Sequence, residues 1–193
     1  METDAQQLSA LARRDILAAT VQLIERHYER IYAFLRRLAG NDADAADLTQ
    51  RTFSRAQQAL PTFAGRSSVA SWVHGIAYHI YVDWRRANGR TEARPDEWWK
   101  LRRSAETGPD QQVLRSDLAA CVYACVDRLQ ADLRQTVHLH YYQELTLQET
   151  ADAMGVAVST VKYRLRQALD ELQKQLAAEP NSSTVTLPRP ARL

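Results

Sequence analysis

The stretch from Thr146 to Leu172 constrains the fold of this chain most, because it carries a helix start, a turn and a second helix at close spacing. Thr146 and Glu149 form a predicted capping box, in which a hydroxyl and a carboxylate each accept a hydrogen bond from a backbone N–H. Gly155 predicts the end of that helix, since glycine readily adopts the left-handed conformation of a tight turn. A second helix is predicted directly afterwards, with an apolar face that consists of Val158, Val161, Leu165, Leu169, Leu172 and Leu176.

This pattern is typical of a helix-turn-helix, a compact unit that presents one helix to the major groove of DNA. Ala151 is small enough to let two helices cross closely, and Val161 is expected to fill the angle between them. The outward face of the second helix carries side chains that suit DNA, namely Thr160, Lys162, Tyr163, Arg166 and Gln167. The alternative for the same spacing is an ordinary helical hairpin with a cationic, solvated face.

The charge balance predicts a partner. With 25 basic and 23 acidic residues the net charge is only +2, which is low for a protein that must hold DNA unaided, because non-specific affinity comes from cationic side chains that displace counterions.

No apolar run approaches the ~20 residues of a membrane span, and the polar start is unlike a secretory signal. We therefore expect a cytoplasmic protein without membrane insertion.

The whole chain is expected to be all-α, with two small helical domains joined by a flexible linker, the C-terminal one containing the helix-turn-helix. Helical periodicity and few β-branched runs support this class. The predicted ranges are an N-terminal extension at 1–14, a first domain at 15–90, a charged linker with glycine and proline at 91–112, a second domain at 113–177 and a disordered tail at 178–193.

Within the first domain, helices are predicted from Asp15 to Leu38 and after the cap at Asn41, followed by a loop over 63–69 and a helix over 71–90. The residues of this last helix that are expected to face the core are Trp72, Val73, Ile76, Ile80 and Trp84. Aromatic residues interleaved with arginines also suit single-stranded nucleic acid, because bases stack on rings. Packing of the same tryptophans in the core is the alternative.

Enzymatic chemistry finds little support in this sequence. Cys121 and Cys125 lie four residues apart on one helical face, where they can be core residues, and a zinc site usually needs four ligands. His138 and His140 are the other candidates, but residues two apart on a helix point to different faces. No carboxylate pair, phosphate loop or nucleophile motif accompanies them. We predict no catalytic residue, no metal and no cofactor.

Taken together, these features resemble the extracytoplasmic-function sigma factors, the smallest members of the sigma-70 family of bacterial transcription initiation factors. The stretches ADLTQRTFSRA and SWVHGIAYHIYVDWRR resemble region 2 of that family, and LTLQETADAMGVAVSTVKYRLRQALDEL resembles region 4. The resemblance covers nearly the whole chain. It implies a protein that binds core RNA polymerase, directs it to specific promoters and helps to melt the DNA.

The resemblance also implies partners and site residues. Contacts to the polymerase, at the coiled-coil clamp of β′, fall on Asp47, Gln50 and Arg51. Contacts to the minus-ten element, where a flipped base is captured, fall on Phe63, Arg66, Ser67, Ser68, His79, Arg85 and Arg86. Contacts to the minus-thirty-five element fall on Ser159, Thr160, Lys162, Tyr163, Arg166 and Gln167. Further partners implied are the β flap and an anti-sigma factor, usually membrane-anchored, that holds the protein inactive until a stress or environmental signal arrives.

A conventional helix-turn-helix regulator is the competing interpretation. Such a protein would sense a signal with its first domain and bind operator DNA as a dimer, without polymerase. The basic aromatic helix before the linker would then have no task.

Overall fold

The computed structural model describes residues 3–88 and 111–178, and within these two ranges the protein has eight α-helices and no strand. The expected all-α class is therefore confirmed. Most of the predicted linker and tail lies outside the described residues. The first four helices are α1 (Asp4–Arg14), α2 (Ile16–Ala39), α3 (Asp42–Ala59) and α4 (Val69–Ala87).

Each of these four helices begins at a side chain that caps it. Thr3 and Gln6 form a capping box at the start of α1, and Asp15, Asn41 and Ser68 each accept a hydrogen bond from a backbone N–H in the first turn of the next helix. These caps satisfy donors that a helix start otherwise leaves unpaired. The caps thus define where the chain changes direction.

Helix α1 is an unexpected element, since the sequence predicts only an N-terminal extension at 1–14. Ala5, Leu8 and Ala12 are buried along one side of it. The Ser9 hydroxyl donates to the carbonyl oxygen of Phe63, with 2.7 Å between the oxygens. The helix therefore belongs to the core and supports the loop that precedes α4.

One compact unit combines α1–α4 with a later segment, residues 139–158. That segment contains most of a π-helical turn (His138–Tyr142) and helix α7 (Leu147–Met154). Leu139, Leu145 and Met154 belong to the same buried cluster as Phe34 of α2 and Val73 of α4. Helix α7 thus packs against α4. The predicted domain ranges had placed α7 in the second domain, at 113–177.

The second compact unit contains α5 (Gln111–Arg128), α6 (Ala131–Val137) and nearly all of α8 (Val158–Ala178). Its buried apolar side chains include Cys125, Val126, Leu129, Leu133, Leu165, Ala168 and Leu172. The Arg164 guanidinium on α8 pairs with the Asp132 carboxylate on α6 at 2.8 Å. Helix α8, the second of the two helices predicted after Thr146, is therefore one long amphipathic helix.

Candidate polymerase and nucleic-acid interfaces

The outer face of α3 carries the three residues predicted to bind polymerase. Burial of Leu48 and Phe53 on the inner face turns Asp47, Gln50 and Arg51 towards solvent. The Asp47 carboxylate lies 3.5 Å from the Arg51 guanidinium, one helical turn away. Exposed pairs of this kind contribute at most about 1 kcal/mol. A partner's charged groups can therefore replace the pair at little cost.

The loop before α4 holds the first predicted minus-ten residues. Phe63 is buried, and its ring centroid lies 4.5 Å from that of Trp72. Gly65 adopts a φ of 66°, and a Cβ there would lie 3.1 Å from the carbonyl oxygen of Ala5 on α1. Arg66 is exposed. The loop is therefore fixed on α1, with the Arg66 side chain rather than the Phe63 ring presented to solvent.

Ser68, another predicted minus-ten residue, links α4 to α7. Its hydroxyl accepts a hydrogen bond from the Ser71 backbone N–H at 3.1 Å and donates one to the Glu149 carboxylate. The Ser71 hydroxyl donates to the backbone carbonyl of Glu149 at 3.1 Å. Glu149 also accepts from the backbone N–H of Thr146 at 2.9 Å, which confirms the predicted capping box.

The ionisation of Glu149 reflects these contacts. Burial acts to raise the pKa of this carboxyl group, but the hydrogen bonds from Ser68 and Thr146 outweigh burial and hold the pKa below its usual value. The side chain is therefore a carboxylate at neutral pH. It can accept from the cap residues of both helices at once.

Helix α4 presents two apolar rows to the core. Of the five residues expected to face it, only Val73 is fully buried, and the core positions are completed by His74, Ala77 and Tyr81. Trp72, Ile76 and Ile80 are half-buried and recur every four residues as a second apolar row. These three residues pack against the buried core cluster, as expected, and each keeps part of its surface exposed because a helix this rich in large apolar residues has more of them than one face can bury.

This second row lines a groove of about 460 Å³. Other residues that line it are Arg55, Ser67, Ser71, Gly75, His79, Asp83, Asp152 and Ala153. His79 is exposed, and its imidazole lies 4.0 Å from where a Cβ on Gly155 would be. Two of the predicted minus-ten residues, Ser67 and His79, are thus brought together at one groove.

The two arginines at the end of α4 are placed differently from each other. Arg85 is half-buried. Arg86 is exposed and lies 3.3 Å from the Asp83 carboxylate, one turn earlier. Both lie on α4 beyond the groove-lining residues, at its C-terminal end.

The polar face of α8 is open to solvent at most predicted positions. The side chain of Tyr163 is 58% exposed, and the Gln167 amide donates to its hydroxyl at 2.8 Å. Ser159 and Arg166 are exposed, whereas Thr160 and Lys162 are half-buried. The opposite face buries Val161 and Leu165. The polar side of α8 can therefore contact a partner while its apolar side stays packed inside the protein.

Sequence reasoning missed the residues that hold the segment before α7 on α2 and α4. His74 is buried, with Nδ1 2.7 Å from the carbonyl oxygen of Ala70 and Nε2 3.3 Å from the Gln143 side chain. Arg30 donates to the backbone carbonyl of Gln143. Burial lowers the pKa of His74 to about 4, so the imidazole is neutral at physiological pH. No local pattern connects His74 to a partner so distant in the chain.

Two negative observations concern the described ranges 3–88 and 111–178. Histidine, cysteine, aspartate and glutamate side chains form no group of three or more there that could hold a metal ion. In the same ranges, no helix combines the length and apolar character needed to cross a membrane. Cys121 and Cys125 form no disulfide, and Cys125 is fully buried.

Two regions of the chain match known families. Residues 23–91 match Sigma-70 region 2, and residues 119–172 match Sigma-70, region 4. The first range contains the α3 face and the predicted minus-ten loop before α4, and the second contains the predicted recognition face of α8.

Curated relatives agree with these matches. The chain is 30% identical to the ECF RNA polymerase sigma factor SigE of Mycolicibacterium smegmatis, over 81% of this chain and 61% of that protein, so it spans less than two thirds of that relative. It is 29% identical to the ECF RNA polymerase sigma factor SigX of Bacillus subtilis, over 81% of this chain and 84% of that one. The chain belongs to the extracytoplasmic-function subgroup of the sigma-70 family.

A solved structure shows a similar fold. The sigma factor RpoE, in its co-crystal structure with the anti-sigma factor NepR from Bartonella quintana, aligns with a TM-score of 0.62 at 22% identity. The alignment covers 82% of this chain and 96% of that one.

Proposed function

We propose that this protein binds core RNA polymerase, directs it to specific promoters and helps to melt the DNA at the start of transcription. The observation that carries this proposal is the exposed polar face of α8, on a helix that directly follows the capped helix α7 and the Gly155 turn. This succession is that of a helix-turn-helix, in which the second helix enters the major groove.

At the minus-thirty-five element, the face of α8 supplies two kinds of contact. Ser159 and Thr160 lie at the N-terminus of α8, where free backbone N–H groups and the helix dipole favour a phosphate. Arg166 and Lys162 are suited to the O6 and N7 acceptors of guanine, and Gln167 to adenine. The phosphate contacts fix the register, and the base contacts give the specificity.

Core polymerase is needed because one helix-turn-helix offers only about 600–1,000 Å² of contact. The exposed residues of α3, Asp47 with Gln50 and Arg51, would bind the β′ clamp, and the region 4 segment would bind the β flap. Holding the protein at two places on polymerase gives each weak DNA contact a high effective concentration. This arrangement accounts for a net charge of only +2.

At the minus-ten element, Ser67 and His79 at the groove would meet an unstacked base, and the half-buried ring of Trp72 lies beside them. Aromatic stacking contributes about 1–3 kcal/mol per base and tolerates any sequence. The exposed Arg66 and Arg86 would attract the backbone of the separated strand. Phe63 and Ser68 are already engaged inside the protein, so they would contribute only after the loop rearranges.

An anti-sigma factor is proposed as the regulator. The similar sigma factor from Bartonella quintana crystallised with one, and the apolar row of Trp72, Ile76 and Ile80 offers half-exposed surface to a protein partner. We propose that this partner, anchored in the membrane, holds the protein inactive until a stress or environmental signal releases it.

The test is run-off transcription on sheared genomic DNA with bacterial core polymerase, with and without this protein, and sequencing of the products. A gel shift with the protein alone on the recovered promoters runs beside it. Specific transcripts only when both proteins are present, with little shift by the protein alone, are the expected result. Specific binding to duplex DNA without polymerase, and no effect on transcription, would favour a conventional regulator.

A further inference from the structure

Helix α1 lies against the predicted minus-ten loop, residues 63–68, with mostly small side chains. Its buried side chains are Ala5, Leu8, Ser9 and Ala12, and among these four only Leu8 is large. Two alanines and a serine bury little apolar area, but they let a neighbouring backbone approach the helix closely. The buried face of α1 is therefore better suited to close contact with the loop than to filling the core.

The contacts between α1 and this loop involve the loop backbone. Ser9 is buried, and its hydroxyl donates to the carbonyl oxygen of Phe63 with 2.7 Å between the two oxygens. Gly65 lies so close to the helix that an added Cβ would be 3.1 Å from the carbonyl oxygen of Ala5. Because backbone atoms of the loop make these contacts, they fix the path of the chain and not only one side chain.

The next residues of the loop are two that are predicted to meet DNA. Arg66 is exposed, and Ser67 is half-buried at the groove of about 460 Å³. His79 lines the same groove from α4. A shift of the loop backbone would change the distance between Ser67 and His79, and with it the shape of the site that would receive a base.

Helix α1 is itself anchored away from the loop. Thr3 and Gln6 form the capping box at its start, and the Asp4 carboxylate pairs with the Arg26 guanidinium on α2. Leu8 belongs to the buried core cluster. The whole of α1 lies before residue 23, where the match to Sigma-70 region 2 begins. A helix outside the matched range thus gives fixed support to a loop inside it.

A fixed site distinguishes between bases better than a mobile one. A flipped base is identified by hydrogen bonds to its pairing edge, and a loop surface that can repack accepts a wrong partner at a lower cost. We propose that α1, through Ser9 and the close contact at Gly65, is the positioning element that gives the predicted minus-ten loop its base specificity. This inference rests on the proposed function. It assigns Ser9 a role in promoter choice and none in polymerase binding.

Base discrimination by Ser9→Ala tests the proposal. A promoter found by run-off transcription is prepared with each of the four bases at the minus-ten position where the base matters most. Initiation rates are then measured on the four templates with saturating core polymerase. The ratio of the rates on the best and the worst base should fall about threefold or more, because a hydrogen bond that fixes the loop is lost. Binding of core polymerase should be unchanged.

Ile31→Val is the matched control for stability. Ile31 is fully buried on α2, and the loss of one methylene group there should destabilise the fold about as much as the loss of one hydrogen bond. Urea unfolding checks that the two variants are similarly destabilised. The base ratio should stay unchanged in Ile31→Val. An equal fall of the ratio in both variants would reduce Ser9 to a structural role and overturn the proposal.

Hydrogen exchange measures the support of the loop without polymerase or DNA. Amide exchange in residues 63–67 should become about threefold faster or more in Ser9→Ala. Gly65→Ala should have the same effect, because its methyl group would press against the Ala5 carbonyl. Gly155→Ala is the control, since Gly155 has nearly the same φ but the nearest atom to an added Cβ is 4.0 Å away. That variant should leave exchange in residues 63–67 unchanged.

Three further results would overturn the proposal. They are faster loop exchange in Ser9→Ala with an unchanged base ratio, unchanged loop exchange in both Ser9→Ala and Gly65→Ala, and loss of polymerase binding by Ser9→Ala. If the original protein supports no transcription, the proposed function fails and the specificity role fails with it. Faster loop exchange in Ser9→Ala would then still show that α1 fixes the loop.

Discussion

The Ser68 hydroxyl donates a hydrogen bond to the Glu149 carboxylate although 81 residues separate the two. Each of the two side chains also makes a hydrogen bond within the first turn of its own helix. The long-range contact therefore joins two side chains that are already part of helix caps. A contact of this kind couples the geometry of the predicted minus-ten loop before α4 to helix α7.

His74 should make the protein less stable at mildly acidic pH. Its pKa is about 4 in the folded protein and about 6.5 in the unfolded chain. The unfolded state therefore binds the proton first as the pH falls, and stability is lost between pH 6.5 and 4, by on the order of 3 kcal/mol at most. Urea unfolding of His74→Gln across this range should show a flatter profile, whereas the exposed His79→Gln should keep the original slope.

Gly155 should tolerate asparagine far better than valine. Its φ of 67° is left-handed, which costs a β-branched residue about 1–2 kcal/mol and asparagine less. Thermal unfolding should therefore rank the original protein and Gly155→Asn close together, with Gly155→Val clearly lower. Equal melting temperatures for the two variants would mean that the turn between α7 and α8 is not held in this conformation.

Arg166→Ala should weaken promoter use while leaving stability unchanged. Arg166 is exposed on α8, and the loss of a bidentate contact to guanine costs about 1–3 kcal/mol, or roughly 5- to 150-fold in affinity. Arg164→Ala is the matched control, because Arg164 pairs with Asp132 on α6. That control should change thermal stability rather than promoter choice. The reverse pattern would show that a different face of α8 meets the DNA.

Asp47→Arg should abolish polymerase binding with the helical circular dichroism spectrum intact. The substitution reverses a charge on the exposed face of α3, where the Asp47 side chain is 60% exposed, and it removes the partner of Arg51. Glu25→Arg, an equal change of charge at an exposed position on α2, should bind polymerase normally. Normal binding by both variants would place the polymerase contact elsewhere.

Local signals in the sequence predicted the local structure well. The Thr146 and Glu149 capping box, the Asn41 cap and the Gly155 turn each depend on residues within a few positions, and the structure confirms all three. Such features need no information from the rest of the chain. The amphipathic face of the helix after Gly155 was likewise readable from its spacing.

Features that depend on distant residues were not predicted. Helix α1 has only a short apolar face, and its burial depends on the loop at Phe63. The second apolar row of α4, with Trp72 and Ile76, could not be distinguished from the core row by spacing alone. The hydrogen bond from Ser68 to Glu149 has no sequence signal, since each residue already has a sufficient local role as a helix cap.

The most direct test of the central claim is permanganate reactivity of thymines in the minus-ten element of a promoter found by run-off transcription. Core polymerase with this protein should make these thymines reactive, because permanganate attacks unstacked bases. Core polymerase alone and the protein alone should leave them protected. Protected thymines in the complete mixture, despite stable binding of all components, would contradict a role in promoter melting.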